Sequence, residues 1–190
     1  MGLYRALAMA EPPPAYRIAP IASADPLAVD ALLDEAFGPD RRRRTAYRIR
    51  DGMAAIPQLS FAALGEDDAL LGSLQCWPVA LDWVTPLTLV GPVAVAPTIQ
   101  RGGLGRAMMQ HMVDVADATA ADPLVLIGDP EYYGRFFNFD ARFTAGWTVP
   151  GPVDRRRLLT RVADGMTLPL SGHLGPRRPS IPLPSTQNHF

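Results

Sequence analysis

Between residues 16 and 165 the apolar positions follow two rhythms, one of period two and one close to four. Proline, glycine and acidic residues mark where one gives way to the other. Residues 16–21 read as a short strand. Residues 26–37 carry Leu27, Val29, Leu32, Leu33 and Phe37 near helical spacing, with Asp25 ahead of Pro26 as N-cap and first-turn pair. Residues 41–50 form a basic, helical stretch. The apolar runs 60–64 and 69–76 flank Gly65-Glu66-Asp67-Asp68 and predict a hairpin. Residues 87–96 form a nearly continuous apolar strand, interrupted at Gly91-Pro92. A helix from Gly103 to about residue 120 turns Leu104, Met108, Met112 and Val115 inward. Residues 123–128 are a short buried strand and 131–137 a short aromatic helix; 147–149 and 156–162 supply the last strand candidates. This order predicts an α/β fold, a mixed central sheet of about six to seven strands with helices on both faces.

Both ends read differently. Residues 1–15 are a loose arm ending in Pro12-Pro13-Pro14, and 166–190 are a proline-rich tail, too broken for a helix or a central strand. The folded domain is therefore expected over 16–165. The N-terminal start has an apolar stretch of only about five residues, too short for a signal peptide. No apolar run reaches the roughly 18 residues that a membrane span needs.

Composition removes several chemistries. All 18 basic side chains are arginine, so the lysine of a P-loop, of a Schiff base or of a kinase strand is missing. A net charge of -1 gives no basis for broad nucleic-acid binding. One cysteine, Cys76, and three histidines offer neither a disulfide nor a zinc spacing, so a reducing cytosol and no metal are expected. Cys76 reads as a small buried hydrophobe. Arg41 to Arg44 read as a solvated helix face paired with Asp40 and Asp51, and Arg155 to Arg157 likewise as solvated.

The chemistry concentrates where the strand 87–96 runs into a glycine-bearing loop that opens a helix. Such a junction aims free N–H groups and the positive helix end at one point, a cradle for phosphate, with Arg101 and Arg106 as cationic forks beside Gly102, Gly103 and Gly105. Spacing argues against a dinucleotide fingerprint, because Met108 stands where its third glycine belongs. Val93-Ala94-Val95-Ala96-Pro97, followed by Gln100-Arg101-Gly102-Gly103-Leu104-Gly105, resembles the acetyl-CoA loop of the GNAT N-acetyltransferase superfamily. That loop has the form Gln/Arg-x-x-Gly-x-Gly/Ala after a strand of the form apolar-x-Val-x-Pro. A second motif, Val125-Leu126-Ile127-Gly128 followed by Tyr132-Tyr133-Gly134-Arg135-Phe136, is similar to the fifth strand and Tyr-Tyr-x-x-Phe helix of one bacterial branch. Asn138 stands about where that branch has a glycine and tolerates a left-handed backbone. The resemblance covers roughly residues 16–165.

The resemblance implies a GNAT fold with splayed fourth and fifth strands, and acetyl-CoA as co-substrate. It implies that Val93, Ala94 and Val95 pair with pantetheine, and that the loop Gln100, Arg101, Gly102, Gly103, Leu104, Gly105 and Arg106 receives the pyrophosphate. It further implies direct attack by a primary amine of a small-molecule or peptide acceptor. The Val93 N–H meets the oxyanion, and Tyr133, or Tyr132 beside it, protonates the thiolate. Asp82, Glu66 or water would take the amine's proton. A homodimer is compatible with the class; neither nucleic acid nor membrane is an expected partner. The alternative is a non-catalytic acyl-CoA-binding or sensing module on the same fold.

Overall fold

The structure, a computed structural model, describes residues 15–177, the side chains of Gln100 and Arg101 excepted. The N-terminal arm before residue 15, and the end of the chain with His189, lie outside the described residues. Eight strands and four α-helices follow one another among the described residues as β1 (Arg17–Pro20), α1 (Pro26–Phe37), α2 (Thr45–Ile49), β2 (Phe61–Leu64), β3 (Leu70–Leu81), β4 (Thr85–Val95), α3 (Leu104–Ala118), β5 (Leu124–Ile127), α4 (Pro130–Phe137), β6 (Gly146–Thr148), β7 (Leu158–Arg161) and β8 (Ser171–Pro176).

The main path of the sheet runs β1-β2-β3-β4-β5-β7. Its pairs are antiparallel except β4 with β5, and β8 adds a parallel partner in β6. The long hairpin of β3 and β4 is the spine. Burial rises where the sequence lacks polar breaks: Leu74, Cys76, Val79, Leu81, Leu87 and Leu89 are all at most 1% exposed. Alternation along β3 sends Leu74 and Cys76 to one face and Val79 and Leu81 to the other.

α3 and α4 cover the first face. Leu104, Met108 and Met112 of α3 pack there as expected, joined by Met109, Val113 and Ala116, while Val115 is only half-buried. The stripe is thus rotated toward the residues that follow each predicted contact. The other face takes α1, through Val29, Leu32 and Leu33, and α2, through Ile49. α1 starts as its sequence demands: the Asp25 side chain accepts from the Leu27 N–H at 3.0 Å, and Pro26 fills the first position. Cys76 is fully buried, and burial raises its thiol pKa, so it stays protonated and inert.

Two expectations change. The basic stretch after α1 is not one helix but a 3-10 turn (Pro39–Arg43) and the five-residue α2. The sheet also runs on past residue 165, into the stretch expected to be a tail. β8 takes the edge of β3 beyond the end of β2, pairing Val79, Ala80 and Leu81 with Pro176, Gly175 and Leu174. Its proline sits at the strand's end and its glycines pair by backbone, which composition alone did not favour. Leu174 is fully buried and Pro169 accepts from the Trp147 indole N–H at 2.7 Å, so this segment closes the core. Among the described residues, no helix is long and apolar enough to cross a membrane.

Removing the Leu174 side chain tests that closure. Leu174→Ala is expected to cost about 2–5 kcal/mol, as for a large core side chain cut to alanine. Equilibrium urea unfolding reads it, and an effect inside ±0.5 kcal/mol would return the segment to the status of a tail.

Candidate active site

The site begins with a break in register. From Leu81↔Thr85 to Cys76↔Val90 the two long strands pair one to one, but the next pair is Leu74↔Val93. One residue of β3 therefore faces Gly91 and Pro92 of β4, a bulge that bends β4. The parallel pairing with β5 is confined to Thr88↔Leu124 and Leu89↔Val125 and ends just before this bend. From Val90 onward β4 has β3 on one edge and no strand on the other, the splay that the resemblance implied.

Ladder parity decides which backbone groups this exposes. The Ala96 N–H donates to the Leu71 carbonyl at 2.9 Å, so opposed residues 71/96 and 73/94 are the hydrogen-bonded pairs. Ala94 spends its backbone groups on Ser73. Val93 and Val95 turn theirs outward, into the cleft.

The second component is the start of α3. Gly103 is its N-cap at φ 74°, a left-handed position suited to glycine, and it supplies no side-chain cap. The first N–H groups of the helix are left to point outward. A Cβ on Gly103 would meet nothing within 4 Å, whereas one on Gly105 would touch Val95 Cγ2 at 3.4 Å. Gly105 thus lets the helix start close to β4, and Gly103 keeps the cradle open. Arg106 stacks on the Phe136 ring at 4.5 Å and has no acidic partner among the described residues. Leu104 is 2% exposed and belongs to the core, so only its backbone faces the cradle. The side chains of Gln100 and Arg101 lie outside the described part of the structure.

The third component is α4. Asp129 accepts from the Glu131 and Tyr132 N–H groups, Pro130 takes the first position, and Asn138 ends the helix in the left-handed conformation expected of it (φ 58°). Tyr132 and Tyr133 meet edge to face at 5.1 Å. Burial, and then the neighbouring Tyr132, raise the pKa of Tyr133. Gly128, at the end of β5, makes room for it: a Cβ there would lie 2.3 Å from Tyr133 Cε2.

These components enclose two adjoining cavities. One, of about 640 Å³, is lined by Val93 to Val95, Gly103, Gly105, Arg106 and the aromatic face of α4. The other, of about 540 Å³, lies between the bulge, α2, the end of β5 and the loop of Pro152 to Asp154. Phe37, Val93 and Tyr133 line both; Tyr132 lines only the first. Neither Asp82 nor Glu66 lines either cavity. Asp82 accepts from the His173 N–H at 2.7 Å, and Glu66 lies in the β2–β3 turn. Trp83 and Trp147 line neither: Trp147 is core and Trp83 sits beyond the end of β3.

Of the arginine run, Arg42, Arg43 and Arg44 are exposed as a solvated stretch would be, but the first member is not. Arg41 is 2% exposed, bonds Asp34 at 2.6 Å and Tyr47 at 2.5 Å, and pairs with Asp30 as well. Only Arg43 keeps the expected contact with Asp40, at 3.8 Å. Arg157 donates to the Gly128 carbonyl at 3.3 Å, tying β7 to the mouth of the second cavity. Arg50 and Phe37 had no motif to single them out; each is defined by what folds against it.

The space under Tyr133 is testable without any assay. Gly128→Ala is expected to destabilise the fold by about 1–3 kcal/mol, as an overpacked site does. In a Tyr133→Ala background the same change should cost clearly less, because the ring is gone and only the end of the Leu126 side chain, 2.8 Å from such a Cβ, is left to shift; equal costs in both backgrounds would refute the packing.

The comparisons agree with this geometry. The model of the GNAT acetyltransferase family matches residues 27–131. No curated protein matches the chain in sequence. Among solved structures, the chain is similar to the GNAT family N-acetyltransferase YhbS from Escherichia coli, in complex with CoA. There the TM-score is 0.61 at 22% identity, over 84% of this chain and 87% of that one. A GNAT family acetyltransferase from Brucella melitensis, in complex with acetyl-CoA, gives a TM-score of 0.55 at 22% identity, over 83% and 93%. A cleft built on a bulged, splayed strand and a glycine-capped helix, matched by the family model over more than half the chain, leads to one conclusion: the chain belongs to the GNAT acetyltransferase family.

Proposed function

We propose that this acyltransferase moves an acetyl group from acetyl-CoA directly to a primary amine of a small-molecule or peptide acceptor. The observation that carries the reading is the junction of the two cavities: Val93 and Tyr133 line both, so a donor group and a proton donor stand where two ligands meet.

The residues fit the co-substrate. Acetyl-CoA supplies an activated thioester, pantetheine amides and phosphates. Val93 and Val95 offer the amides an unpaired strand edge. The N–H groups from Gly103 to Arg106, with the Arg106 guanidinium, offer the phosphates donors and positive charge. The Val93 N–H stabilises negative charge developing on the carbonyl oxygen. The Tyr133 hydroxyl holds a proton for the departing sulfur, and its raised pKa keeps that proton in place at neutral pH. Among the described residues, no carboxylate is poised to take the amine's proton. Asp129 and Asp154, the two that line the acceptor cavity, are occupied as N-caps, so water receives it.

Two variants separate binding from chemistry. Gly103→Glu should abolish CoA binding in calorimetry, because the side chain fills the cradle with like charge and strains a left-handed position. Tyr133→Phe should keep CoA affinity and lower kcat about 100-fold, the scale of one general acid; unchanged kcat would transfer the role to Tyr132 or water.

Turnover should also have an alkaline limb. A tyrosine acid is active below its pKa and lost above it, and Tyr133 is raised, so the limb should lie above about pH 10, the ordinary tyrosine value. A kcat profile should show that limb in the parent chain and lack it in Tyr133→Phe; a limb common to both would belong to another group.

A further inference from the structure

The acceptor side of the cleft holds a buried cation that the described chain does not neutralise. Arg50, just after α2, is 6% exposed and lines both the 540 Å³ cavity and a neighbouring one of about 650 Å³ against α1 and β3. Its guanidinium lies between the Tyr47 and Trp77 rings, 4.0 Å from each centroid. One nitrogen, Nη1, donates to the Gly91 carbonyl at 2.9 Å, an acceptor shared with the Trp77 indole N–H, also at 2.9 Å. Among the described residues no carboxylate pairs with it. Burial lowers its pKa to about 10, which still leaves it charged at neutral pH.

The contrast with Arg41, on the same wall, is informative. That guanidinium is as deeply buried, and the chain gives it Asp30 and Asp34. Burying a cation without an acid is costly, and two rings and one carbonyl offset only part of it. The guanidinium carbon lies over both rings, and the N–H groups not spent on the Gly91 carbonyl or the Tyr47 hydroxyl are left to the cavities that Arg50 lines. A guanidinium edge is the partner of a carboxylate, which it binds with two parallel hydrogen bonds. Purely structural service to the bulge would leave most of its five N–H groups unused.

We infer that the Arg50 guanidinium binds a carboxylate of the acceptor, making the acceptor a small amino carboxylate rather than a plain amine or a polyamine. The inference rests on the acetyl-transfer reading above. Position supports it: Gly91, where Arg50 is anchored, lies two residues along β4 from Val93, across the bulge, and both line the same cavity. An amine and a carboxylate joined by a few bonds span that gap, with the amine at Val93 and Tyr133. Charge supports it too: with Arg41 met by Asp30 and Asp34, Arg44, Arg50 and Arg157 still outnumber Asp129 and Asp154 along the acceptor cavity, a balance that disfavours a polycation.

Two arms test it on the full chain. In the first, each of the common L-amino acids is offered beside its α-carboxamide, with acetyl-CoA and detection of free thiol. The free acid should be preferred at least about 30-fold in kcat/KM, the scale of an unpaired buried charge. Arg50→Lys should erode that preference through KM, with CoA affinity intact as the check on folding. Amides used as well as acids overturn the inference and leave acetyl transfer standing. The second arm needs no turnover. The Arg50 Nε–H resonance of the CoA-loaded protein, assigned through Arg50→Lys, is followed while N-acetyl amino acids and their amides are added. Acids should shift it and amides should not; a resonance unmoved by every acid overturns the inference. If acids shift it while no amine is acetylated, the carboxylate site stands and the transfer reading falls.

Discussion

The bulge of β4 at Gly91 and Pro92 is the constraint on which the rest of this molecule depends. A straight β4 would continue its parallel ladder with β5 beyond Leu89 and Val125, and the sheet would have no cleft. One extra residue bends the strand and leaves an unpaired edge. The same residue shift fixes ladder parity, so that Val93 and Val95, and not Ala94, turn backbone donors and acceptors outward. A buried sheet edge is ordinarily a liability. In the proposed reaction it becomes the binding surface, and its position is held by the hydrophobic packing of β3 against α3 on one face and α1 on the other.

The elements that converge on that edge are fixed by small residues as much as by large ones. Gly105 lets α3 begin within van der Waals reach of Val95, and Gly128 leaves the volume that the Tyr133 ring fills. The aromatic packing of α4, Tyr132 on Tyr133 and both on Phe137, then sets the Tyr133 ring at the point where the two cavities join. Missing side chains therefore specify the site: each absent Cβ is the room another group needs.

The sequence carried the periodic part of this arrangement and little of the long-range part. The hairpin of β2 and β3, the caps of α1 and α4 and the glycine-opened α3 are local signals, readable within a few residues. β8 was missed because its proline and glycines argue against a strand, while the reason it is one lies in the free edge of β3, nearly a hundred residues earlier. Arg41 was misread for a similar cause. Four consecutive arginines look solvated, and only the docking of α1 brings Asp30 and Asp34 over the first of them. Within the site, the motifs marked the loop glycines, Gly128 and Tyr133 as candidates, whereas Phe37 and Arg50 acquire meaning only from partners that are distant in the chain.

The absence of lysine bears on how the cleft presents charge. A lysine ammonium is a strongly hydrated point, and burial tends to neutralise it unless an acid stands beside it. A guanidinium is planar, so rings can hold it by its faces while its edge stays available. Arg106 is held this way on Phe136, at the co-substrate end, and Arg50 between Tyr47 and Trp77, at the acceptor end. Arg41, held by carboxylates, is by contrast already satisfied and serves the fold. In the proposed reading, Arg106 and Arg50, set against aromatic rings, keep hydrogen-bond donors for ligands, whereas the buried Arg41, fixed by acids, closes the structure.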